Sequence, residues 1–211
     1  MTLIFIVYCG IDVSQFSYHF NQISTPVHII SLGRLVEKKG FQYLIDACKI
    51  LKSKNINFKC TIAGDGPLEN YLKNKIEEQN LGNFIDITGK ALLQEEITSF
   101  LHSGHIFAQP CIWSTDNDID GIPRTLMEAM ACGLPSISTK IAGIPDVIID
   151  EETGLLVEPT NSLALAEAIL KITYNPKLAE KLSRNGRNHI EKTFKLPNCL
   201  NPLIEKLKKL S

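Results

Sequence analysis

Residues 118–147 read DIDGIPRTLMEAMACGLPSISTKIAGIPDV, and the rest of the chain is organised around them. Asp120 and Glu128 lie eight positions apart, with Gly121, Ile122 and Pro123 between them. Proline is at home in the first turn of a helix and disfavours helix in the residue before it. Asp120 is therefore expected in a loop and Glu128 about a turn into a helix. Thr125 to Ala131 carry a run of good helix formers, and Gly133-Leu134-Pro135 ends it. One acid thus stands at the mouth of a helix and the other on its flank. A helix N-terminus offers unpaired backbone N–H groups and a partial positive charge, which suit phosphate, while a nearby carboxylate suits sugar hydroxyls. Phosphate and sugar in one ligand point to a nucleotide-sugar.

Outward from this stretch, apolar runs of strand length alternate with helical periodicity. Val27 to Leu32 (VHIISL) is a continuous apolar run meeting Gly33-Arg34, and Phe41, Leu44, Ile45, Cys48 and Leu51 then follow at helical spacing. Phe58 to Ala63 reads as a second strand, ending at Gly64-Asp65-Gly66-Pro67. A full GxGxxG fails there because position 69 is Glu, so Gly64 and Gly66 are read first as backbone geometry. Leu68, Tyr71, Leu72 and Ile76 predict a helix, Phe84 to Ile87 a strand with Thr88-Gly89-Lys90 as its exit loop, Ile97, Phe100 and Leu101 a short helix, and Ile106 to Pro110 a strand. After the central stretch come a strand over 134–139, a turn over 143–146, a strand over 154–157, and helices over 163–170, 178–194 and 200–210. The opening LIFIVYCG reads as a strand ending at Gly10. The expected architecture is α/β: a Rossmann-like, mainly parallel sheet with helices on both faces.

Bulk properties exclude several function classes. A chain of 211 residues is long enough for one well-buried α/β domain and short for two. The 22 basic and 23 acidic residues leave a net charge of −1, which gives no electrostatic case for nucleic acid. No apolar run approaches the roughly 20 residues of a membrane span. The six cysteines show neither CxxC pairs nor short Cys/His clusters, so neither zinc nor a disulfide frame is expected and a reduced, cytoplasmic setting is. Asp116 to Gly121 opens like a calcium-binding loop, but the required twelfth-position Glu is Met127 and Pro123 intrudes. The acids there are read instead as a flexible lip on a cleft, and no metal site is expected.

The central stretch resembles the signature of family-4 glycosyltransferases, retaining enzymes of GT-B fold, whose pattern runs E-G-x-P-x4-E-A-M-A-x-G-x-P. Asp120 stands where the first Glu is usual, one methylene shorter, and Glu128 matches the second. Further motifs are similar in order along nearly the whole chain. Cys9-Gly10-Ile11-Asp12 with Phe16 resembles the hinge segment, and Gly33-Arg34-Leu35 with Lys39-Gly40 the G-R-[LF]-x3-K-G turn. Gly64-x-Gly66-Pro67, Gly154-Leu155-Leu156-Val157 and the Asn-Gly-Arg run at 185–187 also match.

The resemblance implies that Arg34 and Lys39 grip the donor diphosphate, that Asp120 meets the transferred sugar and that Glu128 meets the ribose. It implies a donor-binding set of Gly33, Arg34, Lys39, Gly64, Gly66, Thr88, Gly89, Gly121, Ile122, Pro123 and Glu128, with Thr88-Gly89 against the nucleobase and the turn at 143–146 near the sugar. No cofactor is implied, the substrate being a nucleotide-diphosphate sugar such as a UDP- or GDP-sugar. The acceptor would be a glycan or a lipid-linked glycan, as in polysaccharide biosynthesis at the inner face of a membrane. Residues 1–20 would be hinge and linker, 21–195 the donor-binding half, and 196–211 a helix crossing to a separate or missing N-terminal acceptor domain. The alternative is a truncated or non-catalytic nucleotide-binding module that needs a partner chain. An epimerase of similar fold is disfavoured by the paired acids.

Overall fold

The computed structural model describes residues 7–208. Six strands, β1 (Val27–Leu32), β2 (Phe58–Ala63), β3 (Ile85–Ile87), β4 (Ile106–Gln109), β5 (Ser136–Thr139) and β6 (Leu155–Val157), form one sheet in the order β3-β2-β1-β4-β5-β6. All five pairings are parallel. Parallel strands must be joined by crossovers, and the helices α1 (Phe41–Ser53), α2 (Glu69–Glu78), α3 (Gln94–His102), α4 (Arg124–Cys132), α6 (Ser162–Thr173) and α7 (Pro176–His189) supply the cover on both faces. This is the Rossmann-like arrangement expected.

Side chains alternate across the sheet, and that alternation divides the core in two. Ile29, Ile106 and Ala108 pack with Leu44, Cys48, Leu51 and Leu165 on one face. Ile30 and Phe107 pack with Leu126, Met130, Leu101 and Ile190 on the other. Because both faces are covered, β1 is apolar along nearly its whole length, which is why VHIISL reads as a continuous run. Five of the six cysteines are buried and all six are free; burial pushes the Cys111 and Cys132 thiols up to about 12.

Four expectations need correction or limit. The N-terminal strand lies partly outside the described residues; Val7 to Gly10 carry no strand, and Ile11 forms only one bridge, to Lys195 near the C-terminus. Among the described residues of the opening segment that is the one bridge, and one bridge does not make a ladder. The turn at 143–146 is instead a one-turn helix, α5 (Ile144–Val147), started by Pro145. The helix expected over 178–194 is α-helical only to His189 and widens into a π-helical turn, Ile190–Phe194, with both end residues fully buried. The last helix, α8 (Asn201–Lys208), leaves Leu203, Ile204 and Leu207 exposed rather than packed on this chain.

The sheet order reverses between β1 and β4, the two strands that leave in opposite winding directions. A crevice opens there at the strands' carboxyl ends. Gly40 fixes its width: it adopts φ +67°, and a Cβ at that position would collide with the Pro110 carbonyl oxygen at the end of β4. Gly40→Ala is expected to lower the unfolding free energy by about 2–4 kcal/mol, from left-handed strain and overpacking together. Urea denaturation reads this as a lower midpoint at unchanged slope. A loss below about 0.5 kcal/mol would contradict the close approach described.

Candidate functional site

β1 ends in the Gly33-Arg34 turn, and the glycines after β2 exist to let two backbones touch. A Cβ on Gly64 would overlap the Gly33 carbonyl oxygen, and one on Gly66 would lie 2.7 Å from both the amide nitrogen and carbonyl oxygen of Leu35. The two turns are laced by Gly33 N–H to the Ala63 carbonyl (3.0 Å), Leu35 N–H to Asp65 (2.7 Å) and Leu68 N–H to Leu35 (3.1 Å). The Thr88 hydroxyl accepts from the Gly64 amide at 3.1 Å and donates to the Lys90 carbonyl at 3.1 Å.

Together these turns present an open cavity of about 240 Å³ lined by Leu32, Gly33, Arg34, Gly64, Thr125 and neighbours. The β3 exit loop contributes Ala91 and Leu92 to it rather than Thr88 and Gly89. The Thr88 side chain is engaged in holding Gly64, and Gly89 backs onto the Glu69 carboxylate.

A second cleft, of about 390 Å³, opens on the other side of Arg34 and is lined by Lys38, Lys39, Ser114, Asp116, Asp118 and Asp120. Arg34 belongs to both cavities, is exposed, and has no ion-pair partner among the described residues. Lys39 lies across Gly33, its Cε 3.3 Å from where a Cβ would be. Its ammonium sits 2.6 Å from Asp120 Oδ2, an ion pair without a well-directed hydrogen bond to that oxygen. Lys38 reaches Asp118 at 2.8 Å and Asp120 Oδ1 at 3.3 Å. The hydrogen bond to Asp118 and the charges of both acids hold the Lys38 ammonium above its usual range. Both lysines of this cleft are thus paired with carboxylates of the lip.

The acidic lip is tied down rather than loose. The single Ser114 hydroxyl proton is shared between Asp116 (2.5 Å) and the Asp118 carbonyl (2.7 Å), and Glu37 accepts from the Thr115 amide (3.1 Å) and hydroxyl (2.8 Å). The Ser114 hydrogen bond, ahead of the other contacts, lowers the Asp116 carboxyl below its ordinary value.

α4 begins at Arg124 with Pro123 as its N-cap, which leaves Asp120 in the loop and Glu128 about a turn into the helix. No side chain caps it, so its first N–H groups stay available beside Thr125, which lines the smaller cavity. Gly121 and Ile122 face the other way, joined to the β5 exit turn by the Gly143 amide on the Gly121 carbonyl (2.9 Å). Glu128 is only 3% exposed and lines neither cavity; its Oε1 accepts from Arg124 Nε at 2.8 Å. Burial raises its pKa, opposed by Arg124. The structure thus brings Gly33, Arg34, Lys39, Gly64, Asp120 and the α4 start together, and leaves Glu128 one turn behind.

Sequence reading passed over Gln109. Its amide nitrogen donates to the Leu32 carbonyl (3.0 Å) and its oxygen accepts from Thr125 Oγ1 (3.0 Å). A fully buried amide thus bridges the Arg34 turn and the first turn of α4. The available signal was a glutamine in the otherwise apolar run IFAQ. Among the described residues no group of three or more His, Cys, Asp or Glu is placed to hold a metal ion, and no helix is long and apolar enough to cross a membrane.

Residues 17–189 match the family model described as glycosyl transferases group 1. A glycosyltransferase named for colanic acid biosynthesis, WcaL of Escherichia coli, is 37% identical over 88% of this chain and 46% of its own length. The amylovoran biosynthesis glycosyltransferase AmsK of Erwinia amylovora is 34% identical over 96% of this chain and 50% of its own length. The chain spans about half the length of these relatives. Among solved structures, the C-terminal domain of a group 1 family protein from Francisella tularensis superposes with TM-score 0.76 at 24% identity, over 89% of this chain and all of that one. Anabaena HepE, solved with UDP, superposes with TM-score 0.82 at 19% identity over 96% of this chain and 57% of its own. The chain belongs to the group 1 glycosyltransferases.

Proposed function

We propose that this chain is the donor-binding half of a retaining glycosyltransferase of family 4, moving a sugar from a nucleotide-diphosphate sugar to a glycan or lipid-linked acceptor in polysaccharide biosynthesis, on the cytoplasmic side of a membrane. The observation that carries the reading is the convergence of an unpaired Arg34, Lys39 and an uncapped helix start at one switch point. A leaving diphosphate gathers negative charge as the sugar departs, and fixed cations and N–H dipoles aimed at it lower that barrier. Arg34 offers a planar fork for two phosphate oxygens and Lys39 a mobile point charge. As phosphate arrives, Lys39 exchanges Asp120 for it, which frees Asp120 to accept from the sugar. Glu128 would accept from a ribose hydroxyl with the acceptor capacity that its contact with Arg124 leaves over. The relatives named for colanic acid and amylovoran biosynthesis, and a neighbour solved with UDP, support the substrate class.

The half-length match to these relatives and the exposed apolar side of α8 support a second chain or domain carrying the acceptor site. A cleft with one wall does not exclude water, so transfer by this chain alone should be very slow. The competing reading, a nucleotide-binding module without catalysis, is separated by a product assay with and without the other half. Transfer that appears only with it supports the enzyme; binding with no transfer in either case supports the module.

Two outcomes are expected. Calorimetry should show UDP or GDP binding to the wild type and a loss on the order of 10- to 100-fold in Arg34→Ala, the worth of a charge-assisted contact. Equal affinity would remove the diphosphate assignment. For Glu128, a folded-state pKa above the unfolded value means that its contribution is fully present at low pH and is lost as pH rises through the folded pKa. Glu128→Gln should therefore gain stability relative to wild type on going from about pH 4 to about pH 7 while nucleotide affinity falls. A stability difference that stays flat between those two conditions in denaturant melts would contradict it.

A further inference from the structure

Asp118 lies outside the paired acids of the signature, and its carboxylate is not needed to build the loop it sits on. The backbone does that work: its carbonyl accepts from Ser114 N (3.0 Å) and Ser114 Oγ (2.7 Å), and its amide donates to Asp116 Oδ1 (3.2 Å). The side chain, 56% exposed, has one partner among the described residues, Lys38 at 2.8 Å. The other lip acids are all engaged otherwise. Glu37 holds Thr115, Asp116 holds Ser114, and Asp120 bridges both lysines. Three cations and four carboxylates line this cleft, which leaves it net negative toward an arriving polyanion.

We infer that Asp118 is an internal competitor for the donor's phosphates: its carboxylate pairs with Lys38 and yields it when a nucleoside diphosphate binds. The inference rests on the donor site proposed above and adds two residues to it, Lys38 as a third cation and Asp118 as the group that tunes its availability. The lip is coupled to the lysines through the backbone as well, since the Ile112 amide donates to the Lys38 carbonyl at 3.0 Å. An exposed ion pair contributes little, so the competitor adjusts affinity without blocking the site. Its charge also acts through water, so its influence must fade as salt is added.

Trp113 provides an optical probe of this step. It is the chain's single tryptophan, 59% exposed, and sits between Ile112 and Ser114 at the root of the lip. Its emission should shift when UDP displaces Asp118 from Lys38.

The test is UDP and GDP titration by calorimetry of wild type, Asp118→Asn, Lys38→Met and the double variant, at low and high ionic strength. Asparagine keeps every backbone contact of the lip. Asp118→Asn should bind about two- to fivefold tighter than wild type at low salt, with the gain shrinking as salt rises. Lys38→Met should bind more weakly, and in that background Asp118→Asn should add nothing. Unchanged or weaker binding by Asp118→Asn overturns the inference. So does a gain that persists undiminished without Lys38, which would mean a general field effect. Wild-type binding in either case leaves the donor site standing, whereas no binding of UDP or GDP by any of the four proteins removes the donor site and the competitor with it.

Discussion

The buried amide of Gln109 holds together the two strand ends on which the site depends. It ties the Leu32 carbonyl at the end of β1 to Thr125 in the first turn of α4, and its own backbone carbonyl accepts from Ser138 Oγ on β5 at 2.6 Å. A fully buried polar side chain is costly unless its hydrogen bonds are made, so the arrangement tolerates little slippage. Because β1 and β4 are neighbours in the sheet but far apart in sequence, nothing local could align their exits. The amide does so, and the Arg34 turn faces a helix start as a result.

Charge is handled at this site by pairing rather than by excess. Lys38 and Lys39 pair with Asp118 and Asp120, while Arg34, at the junction of the two cavities, has no ion-pair partner among the described residues. The carboxylates of the lip repel one another, and the two lysines offset that repulsion. The same pairs set what a donor must displace. Glu128 follows another logic: it is an ionisable group inside an otherwise enclosed helix, kept there at a cost in stability and partly relieved by Arg124.

The strands and most helices were legible because a parallel sheet covered on both faces writes itself as unbroken apolar runs, and because glycine and proline mark the exits. VHIISL and IFAQP read this way, while FKCTIA carries the exposed Lys59 among its buried apolar residues. The Arg34 turn, Lys39 and the two-glycine turn were legible through the motif they share with a known family. What was not legible depends on contacts between residues far apart in sequence. The hydroxyl of Thr88 looked free in the sequence, but the fold spends it on Gly64, 24 residues away. Gln109 bonds to a carbonyl 77 residues earlier. The pairing of Lys38 with Asp118 needs the lip to fold back over the turn, which no spacing rule announces. Of the opening apolar run, residues 7–10 carry no strand and the rest lies outside the described residues; the bridge from Ile11 to Lys195 joins stretches 184 positions apart, which no local pattern announces.

The central claim is that one pyrophosphate lies between the Gly33-Arg34 turn and the start of α4. Amide-resolved NMR titration with UDP tests it most directly. The account predicts the largest shifts at the backbone amides of Gly33, Arg34, Arg124 and Thr125, with smaller ones along the lip from Trp113 to Asp120. Shifts confined to the opposite end of the sheet, around Lys59, Gly82 and Asp86, with those four amides unmoved, would contradict it.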